Sequence, residues 1–265
     1  MTTFQAVILG IVQGVAEFLP ISSSGHLVVL QQVFGIEEHS FTFDIVVHIG
    51  TLVAIVIVFW QDIWSIIKKP FSRLTGLLVV ASLPAVVAGL FFRNVIENFR
   101  GGLWLGVAFI VTGFLLLMAD RFPEGDKESN DDITYLDALI VGVMQALALP
   151  PGISRSGTTI TGALGRGLKR ATAARFSFLM AMIAIAGAGL LETIQVLTGD
   201  EVYTTVGPLP MFFGFMASLL VGYLSIRLLL KLIKSCKLRY FSYYVWALAA
   251  FILLDTFVLN IFWTR

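Results

Sequence analysis

The sequence is poor in cysteine, histidine and charged residues. One cysteine, Cys236, and three histidines occur among 265 residues, which excludes an internal disulfide and a metal centre built from several Cys and His ligands. Charged residues make up 13% of the chain, against roughly a quarter in soluble domains. The 18 basic and 17 acidic residues leave a net charge of +1, so no overall field favours nucleic acid as a partner.

Hydrophobic residues, in contrast, are abundant and form long runs. They account for 57% of the chain, and the mean hydropathy is +0.90. Six segments are long and apolar enough to cross about 30 Å of hydrocarbon as helices: approximately 41–60, 74–92, 101–119, 176–197, 209–231 and 241–262. We therefore predict an all-α polytopic protein that forms a single integral membrane domain over 1–265.

Two further apolar regions, about 4–35 and 135–166, are interrupted in the middle. Pro20 breaks the first, and Pro150, Pro151 and Gly152 break the second; proline removes a backbone donor and ends or kinks a helix. Irregular backbone at membrane depth is tolerated only where protein buries it or where it lines a cavity. Each region is therefore predicted to be a re-entrant helix-loop-helix hairpin.

The two interrupted regions also resemble each other. LGIVQGVAEFLPISSSGH from Leu9 aligns with VGVMQALALPPGISRSGT from Val141 at an offset of 132 residues, about half the chain. This similarity predicts an internal repeat in which each half is one hairpin followed by three spans. The halves are 1–120 and 135–265, joined by a polar linker over 121–134, and an odd number of spans per half inverts the topology of the second.

The distribution of Lys and Arg supports this topology. Thirteen Lys and Arg, including Lys231 at the membrane edge, fall in or beside 61–73, 120–134, 166–175 and 232–240, which the predicted topology places on one face of the membrane. Only Arg93, Arg100 and Arg265 fall on the opposite face. The positive-inside rule then makes the linker cytoplasmic and puts both termini outside. The hairpins would enter from opposite faces and meet near the midplane.

The hairpin loops contain polar residues that are expensive inside a membrane. The first carries Glu17, Ser22, Ser23, Ser24, Gly25 and His26, and the second carries Ser154, Arg155, Ser156, Gly157, Thr158 and Thr159. Intramembrane charges generally mark functional sites. Hydroxyls, glycine amides at helix N-termini and an Arg fork predict phosphate binding.

Glu17 fits an anion site only if a cation or an exchangeable proton lies between the carboxylate and the ligand. For phosphoryl transfer, Ser23 or a water could attack phosphorus. His26 would then be the base or proton shuttle, and Glu17 would either hold a metal or orient His26. Arg155 and the backbone amides would stabilise the phosphoryl oxygens.

The motifs EFLPISSSGH and PGISRSG, followed by FSFL at Phe176 to Leu179, resemble those of the undecaprenyl-diphosphatase family, the bacitracin-resistance type, over the full length. The resemblance implies a multi-pass inner-membrane enzyme that hydrolyses undecaprenyl diphosphate at the outer face, recycles the lipid carrier for cell-wall synthesis and confers bacitracin resistance. It implies Mg²⁺ or Ca²⁺ as cofactor and Glu17, Ser23, His26 and Arg155 as essential residues.

Three positions depart from the family's pattern. Gln13 stands where many members have a second Glu, so the candidate metal ligands here are Glu17 and Gln13. Ser24 replaces a frequent Thr, and Ile183 replaces a Pro that would kink its span.

Other interpretations stay open at this point. Broken helices meeting at the midplane are also typical of secondary transporters, so a transporter or flippase of a phosphorylated lipid is the alternative function. Glu17 and Arg155 could form a purely structural ion pair. His48, one turn after Asp44, is predicted to form a local structural pair with it, and a supporting role beside the site stays open for it. The sequence leaves the oligomeric state open, including a homodimer.

Overall fold

The computed structural model describes residues 1–36, 41–92, 96, 99, 101–198, 206–233 and 237–263. Within helices, it leaves out the side chains of residues 41, 192 and 195–197. Four residues named above lie outside these ranges: Cys236 and the predicted outer-face arginines Arg93, Arg100 and Arg265.

The described part of the chain folds into eleven α-helices and one π-helical turn. The first half contains α1 (Thr3–Ala16), α2 (Ser23–Val33), α3 (Phe41–Val58), α4 (Trp60–Lys68), α5 (Arg73–Phe91) and α6 (Gly102–Ala119). The second contains α7 (Tyr135–Leu147), α8 (Arg155–Gly165), α9 (Arg170–Thr198), α10 (Pro208–Leu232) and α11 (Arg239–Leu254), which a π-helical turn continues over Asp255–Leu259.

The long helices coincide with the six predicted spans. Five are long and apolar enough to cross a membrane, and α3 with α4 forms a sixth candidate that is bent by 80°. The all-α, multi-pass architecture is therefore confirmed. Helix α9 continues without interruption through Ile183, as expected where no proline removes a backbone donor.

Helix α4 occupies the first part of 61–73, the segment predicted above to lie on the same face as the linker. Trp60, Trp64 and Ile67 are exposed, and the Lys68 ammonium lies over the Trp64 ring at 5.1 Å. An apolar face bordered by charge is typical of a helix at a membrane interface. At nine residues, α4 is too short to span a membrane. Its mixture of apolar and charged residues is difficult to distinguish from a polar loop in the sequence.

Both interrupted regions form a helix, a loop and a second helix, as predicted. Their local geometry also recurs at the offset of 132 residues: Thr2 and Gln5 form a capping box at the start of α1, and Thr134 and Asp137 form one at the start of α7. Ser22 and Ser154 cap α2 and α8 in the same way. The inverted orientation of the two halves stays a prediction.

The two halves are packed into one another. Helix α1 lies mainly against α10, α7 lies against α5, and α6 pairs with α11. Glycines permit these approaches: a β-carbon at Gly14 would lie 2.8 Å from the Gly222 nitrogen, and Gly142 faces the Ala81 carbonyl. Close contact between helix backbones through small residues is characteristic of membrane proteins.

An ionic cluster ties the linker to the second hairpin. The Asp137 carboxylate, inaccessible to solvent, pairs with Lys127 Nζ at 2.6 Å and with Arg166 Nε at 2.8 Å. Burial alone would raise the pKa of this carboxyl, but the hydrogen bonds from Lys127, the Thr134 backbone and Arg166 hold it well below its usual range. The cluster fixes the start of α7 against the end of α8.

Candidate active site

The first loop begins at Glu17, the C-cap of α1, and ends at Ser22, the N-cap of α2. Pro20 cannot continue the helix because it has no backbone N–H. Ser22 has φ +73°, in the left-handed region that non-glycine residues seldom occupy, and its side chain accepts a hydrogen bond from the Gly25 N–H at 3.3 Å. Strained backbone of this kind is concentrated at functional sites.

The second loop is held by α6. The Thr112 hydroxyl donates to the Gly152 carbonyl at 3.1 Å and accepts from the Ser154 N–H at 3.0 Å. Gly152 has φ +92°, a conformation that favours glycine. This clamp sets the direction in which α8, and hence Arg155 at its first position, leaves the loop.

The two loops touch. A β-carbon at Gly25 would lie 2.7 Å from Phe109 and 2.9 Å from the Gly152 α-carbon. The Ser156 hydroxyl donates to the Leu19 carbonyl at 3.2 Å, and the Arg155 guanidinium forms an ion pair with Glu17 Oε1. The predicted meeting of the two polar loops is therefore present in the fold.

Glu17 is the centre of the site. Its Oε2 atom accepts hydrogen bonds from the Ser23 hydroxyl at 2.6 Å and from Gln13 Nε2 at 3.0 Å, and His48 Nε2 lies 3.9 Å away. Glu17 is 6% exposed. A buried carboxylate requires such partners, and here Arg155 and the neutral donors supply them.

His26 is oriented by groups other than Glu17. Its Nδ1 donates to the Ser22 carbonyl at 2.7 Å, because that oxygen can only accept, and Nε2 then accepts from the Tyr244 hydroxyl at 2.8 Å. The proposal that Glu17 orients His26 directly is therefore wrong. The Ser23 hydroxyl donates to Glu17 and not to His26; the role of His26 as base or proton shuttle stays a prediction.

The other predicted phosphate ligands have mostly internal partners. The amides of Gly25 and Gly157 donate to the capping serines Ser22 and Ser154. The hydroxyls of Thr158 and Thr159 donate to the Ser154 and Arg155 carbonyls at 2.6 and 2.8 Å. Their role in phosphate binding stays a prediction.

Backbone amides at the two helix starts offer further donors. The first turn of a helix has N–H groups without intrahelical partners, and Ser23, Ser24, Arg155 and Ser156 occupy the first two positions of α2 and α8. Ser24 is partly buried beside Ser23. Both helices thus begin at the junction of the loops, where their dipoles favour an anion.

The oxygen atoms in and beside Glu17 are of the type that binds a divalent cation, and such a cation would take most of its ligands from a substrate. Within the described ranges no group of three or more His, Cys, Asp or Glu side chains is arranged to hold a metal ion. Gln13 Oε1, however, is buried without a hydrogen-bond partner, beside the Glu17 carboxylate. One carboxylate, an amide oxygen and the Ser23 hydroxyl are oxygen ligands of the type that Mg²⁺ and Ca²⁺ take together with phosphate oxygens.

Sequence reasoning missed Tyr244 and did not identify Glu17 as the contact of His48. Tyr244 stacks on His26 with ring centroids 5.6 Å apart and an interplanar angle of 11°, yet 218 residues separate them and no local pattern connects them. His48 was predicted to pair with Asp44, and its Nδ1 does donate to the Asp44 carbonyl at 2.7 Å. Its other nitrogen faces Glu17, which helical periodicity within α3 could not indicate.

Comparison with known proteins identifies the family of the chain. Residues 6–251 match the family described as bacitracin resistance protein BacA. The chain is 46% identical to an undecaprenyl-diphosphatase of Carboxydothermus hydrogenoformans, over 96% of this chain and 97% of that protein. It is 43% identical to undecaprenyl-diphosphatase 3 of Bacillus cereus, over 97% of this chain and 98% of that protein. An undecaprenyl-diphosphatase of Methanosphaera stadtmanae is 41% identical, over 90% of this chain and 92% of that protein. The chain therefore belongs to the bacitracin resistance protein BacA family.

Proposed function

We propose that the protein hydrolyses undecaprenyl diphosphate to undecaprenyl phosphate and inorganic phosphate. The observation that carries this proposal is the Ser23–Glu17–Arg155 arrangement at the junction of two hairpin loops. It combines a hydroxyl nucleophile, a carboxylate that accepts the hydroxyl proton and a guanidinium beside both, the parts required for phosphoryl transfer. The names of the similar proteins give the substrate.

In the proposed reaction the Ser23 oxygen attacks the terminal phosphorus. The new O–P bond forms as the bond from phosphorus to the bridging oxygen breaks, the Ser23 proton moves to Glu17, and undecaprenyl phosphate leaves. A water then hydrolyses the phosphoserine and releases phosphate. Arg155 and the amides of the first turns of α2 and α8 stabilise the phosphoryl oxygens.

A divalent cation, Mg²⁺ or Ca²⁺, held by Glu17, Gln13 and the diphosphate itself would neutralise charge on the substrate. The unpartnered Gln13 oxygen supports this ligand set. We therefore expect phosphate release to require a divalent cation and to stop when the cation is chelated.

We further propose that the active site opens to the outer face of the inner membrane, with both termini outside, and that the activity confers bacitracin resistance. The distribution of Lys and Arg supports the orientation, and the family description supports the resistance. A tag on either terminus should be accessible from outside spheroplasts; protection of both tags would overturn this topology.

The test of the function is phosphate release from a long-chain prenyl diphosphate in detergent with Mg²⁺ or Ca²⁺. Wild-type protein should release phosphate, Glu17→Ala should not, and Glu128→Ala, which removes an exposed carboxylate paired with Lys169, should behave as wild type. If wild-type protein releases no more than Glu17→Ala, the proposed hydrolysis is refuted. Movement of a lipid phosphate across vesicles without phosphate release would establish the alternative, a transporter or flippase.

A further inference from the structure

The environment of His26 limits how this histidine can take part in a reaction. Nδ1 carries a proton because it donates to the Ser22 carbonyl, and the lone pair on Nε2 accepts from the Tyr244 hydroxyl. Within the described part of the chain, Tyr244 is the hydrogen-bond partner of Nε2. Any proton that His26 gains or loses at Nε2 must therefore pass the position that this hydroxyl occupies.

Ring contacts fix the imidazole as well. The Tyr244 ring is nearly parallel to it, and Phe109 meets it edge-on with centroids 5.3 Å apart. Phe109 also lies against Gly25, next to His26 in α2. The His26 ring is thus held between α6 and α11, and its hydrogen-bonding direction is set by one hydroxyl.

Tyr244 is exposed although its hydroxyl contacts a buried histidine. It is 48% exposed on α11, whereas His26 is 8% exposed. A tyrosine with its ring at the outside of the bundle and its hydroxyl on a buried imidazole links the polar site to the lipid-facing surface.

We propose that Tyr244 is the positioning residue of His26: the Ser22 carbonyl sets the tautomer, and the Tyr244 hydroxyl fixes the plane of the imidazole and holds Nε2 as a hydrogen-bond acceptor at the site. The proposal rests on the hydrolysis proposed above, with His26 as the proton shuttle for the water that hydrolyses the phosphoserine. It assigns Tyr244 no direct contact with phosphorus and predicts that its hydroxyl acts through His26. Groups that orient a functional histidine typically change activity about 10- to 100-fold when removed.

The test is Tyr244→Phe, which keeps the stacked ring and removes the hydroxyl, with Tyr243→Phe as the matched control. Tyr243 is the neighbouring exposed tyrosine, and its ring contacts Trp246. Tyr244→Phe should lower kcat for phosphate release roughly 10- to 100-fold with KM unchanged, and Tyr243→Phe should leave kcat at the wild-type value. Wild-type kcat in Tyr244→Phe would overturn the proposal.

A second measurement detects the hydrogen bond between Tyr244 and His26 independently of enzyme activity. The chain has three histidines, so ¹⁵N-histidine NMR of the detergent-purified protein can resolve His26. Wild-type His26 should show a protonated Nδ1 and a hydrogen-bonded, unprotonated Nε2. In Tyr244→Phe the Nε2 signal should move downfield, towards a nitrogen that accepts no hydrogen bond; an unmoved signal refutes the positioning role. A wild-type protein that shows this NMR signature but releases no phosphate would refute the proposed function alone.

Discussion

Gly25 and Gly152 bring the two hairpin loops into backbone contact: a β-carbon added at Gly25 would lie 2.9 Å from the α-carbon of Gly152. These residues belong to opposite halves of the chain. Their contact allows Glu17 and Arg155 to pair, because Arg155 lies only three residues after Gly152, at the start of α8. The site therefore depends on the absence of a side chain at Gly25.

Gly25→Ala should separate the loops. The added methyl group must displace either Phe109 or the Gly152 backbone, and overpacking of this kind costs about 1–3 kcal/mol. We expect a lower thermal unfolding temperature in detergent and a strong loss of phosphate release. Gly187→Ala is the control, because a β-carbon there meets nothing within 4 Å; equal behaviour of the two variants would contradict the close packing at Gly25.

Arg155→Lys should lose most of the activity although the charge is kept. An ammonium cannot supply the planar, bidentate donor pair of a guanidinium, and loss of an equivalent oxyanion donor lowers kcat by about 10²- to 10³-fold. Phosphate release per folded protein is the measurement. Arg170→Lys, at an Arg–Asp120 pair outside the site, should stay near wild type; a nearly active Arg155→Lys would show that Arg155 has a different role.

Ser23→Ala and Ser24→Ala should differ sharply. The Ser23 hydroxyl donates to Glu17 at 2.6 Å, and its removal takes away the proposed nucleophile, so we expect activity to fall by at least about 10³-fold. Ser24→Ala should cost much less. If Ser23→Ala retains more activity than Ser24→Ala, the nucleophile is a water or another side chain.

His48→Ala should lower kcat about tenfold, as expected for a residue that supports a catalytic carboxylate without being essential. The imidazole Nε2 lies 3.9 Å from Glu17, close enough to shape the field at Oε2. His48→Gln, which retains a nitrogen donor, should recover part of the loss. Turnover by His48→Ala at the wild-type rate would show that the contact has no influence on the reaction.

Asp137→Asn should destabilise the protein at neutral pH by about 2 to 3 kcal/mol, because Lys127 and Arg166 would lose their buried counter-charge. The pKa of Asp137 in the folded protein lies below its value in the unfolded chain. Its contribution is therefore complete above about pH 4 and is lost as the pH falls through the lowered folded pKa. Thermal unfolding against pH should show a steeper acid dependence in wild type and in the exposed control Asp131→Asn than in Asp137→Asn, which keeps only the contributions of other carboxylates with lowered pKa values, such as Asp120.

Much of the fold could be predicted because membrane helices are specified locally. Length and hydropathy locate the spans, and Pro20 and Pro151 locate both breaks. The Glu17–Arg155 pair was also predictable, since each charge is too costly to leave uncompensated. These inferences need only nearby sequence or the balance of opposite charges.

The remaining features depend on where distant helices cross. Tyr244 meets His26 only because α11 packs against α6, and His48 faces Glu17 only because α3 lies against α1. The Gly25 and Gly157 amides, predicted to bind an anion, donate to Ser22 and Ser154 in the fold, and their phosphate-binding role stays a prediction. Spacing alone cannot distinguish a cap from a ligand-binding amide.

The pairing of α1 with α10 has a consequence for biosynthesis. Thr3–Ala16 is synthesised well before its main partner, Pro208–Leu232. A contact between segments this far apart forms slowly, because the entropy cost of closing a long loop comes before the contact energy is gained. The nascent first hairpin must therefore remain without this partner until α10 has been made, and chains truncated before α10 should be degraded rather than accumulate.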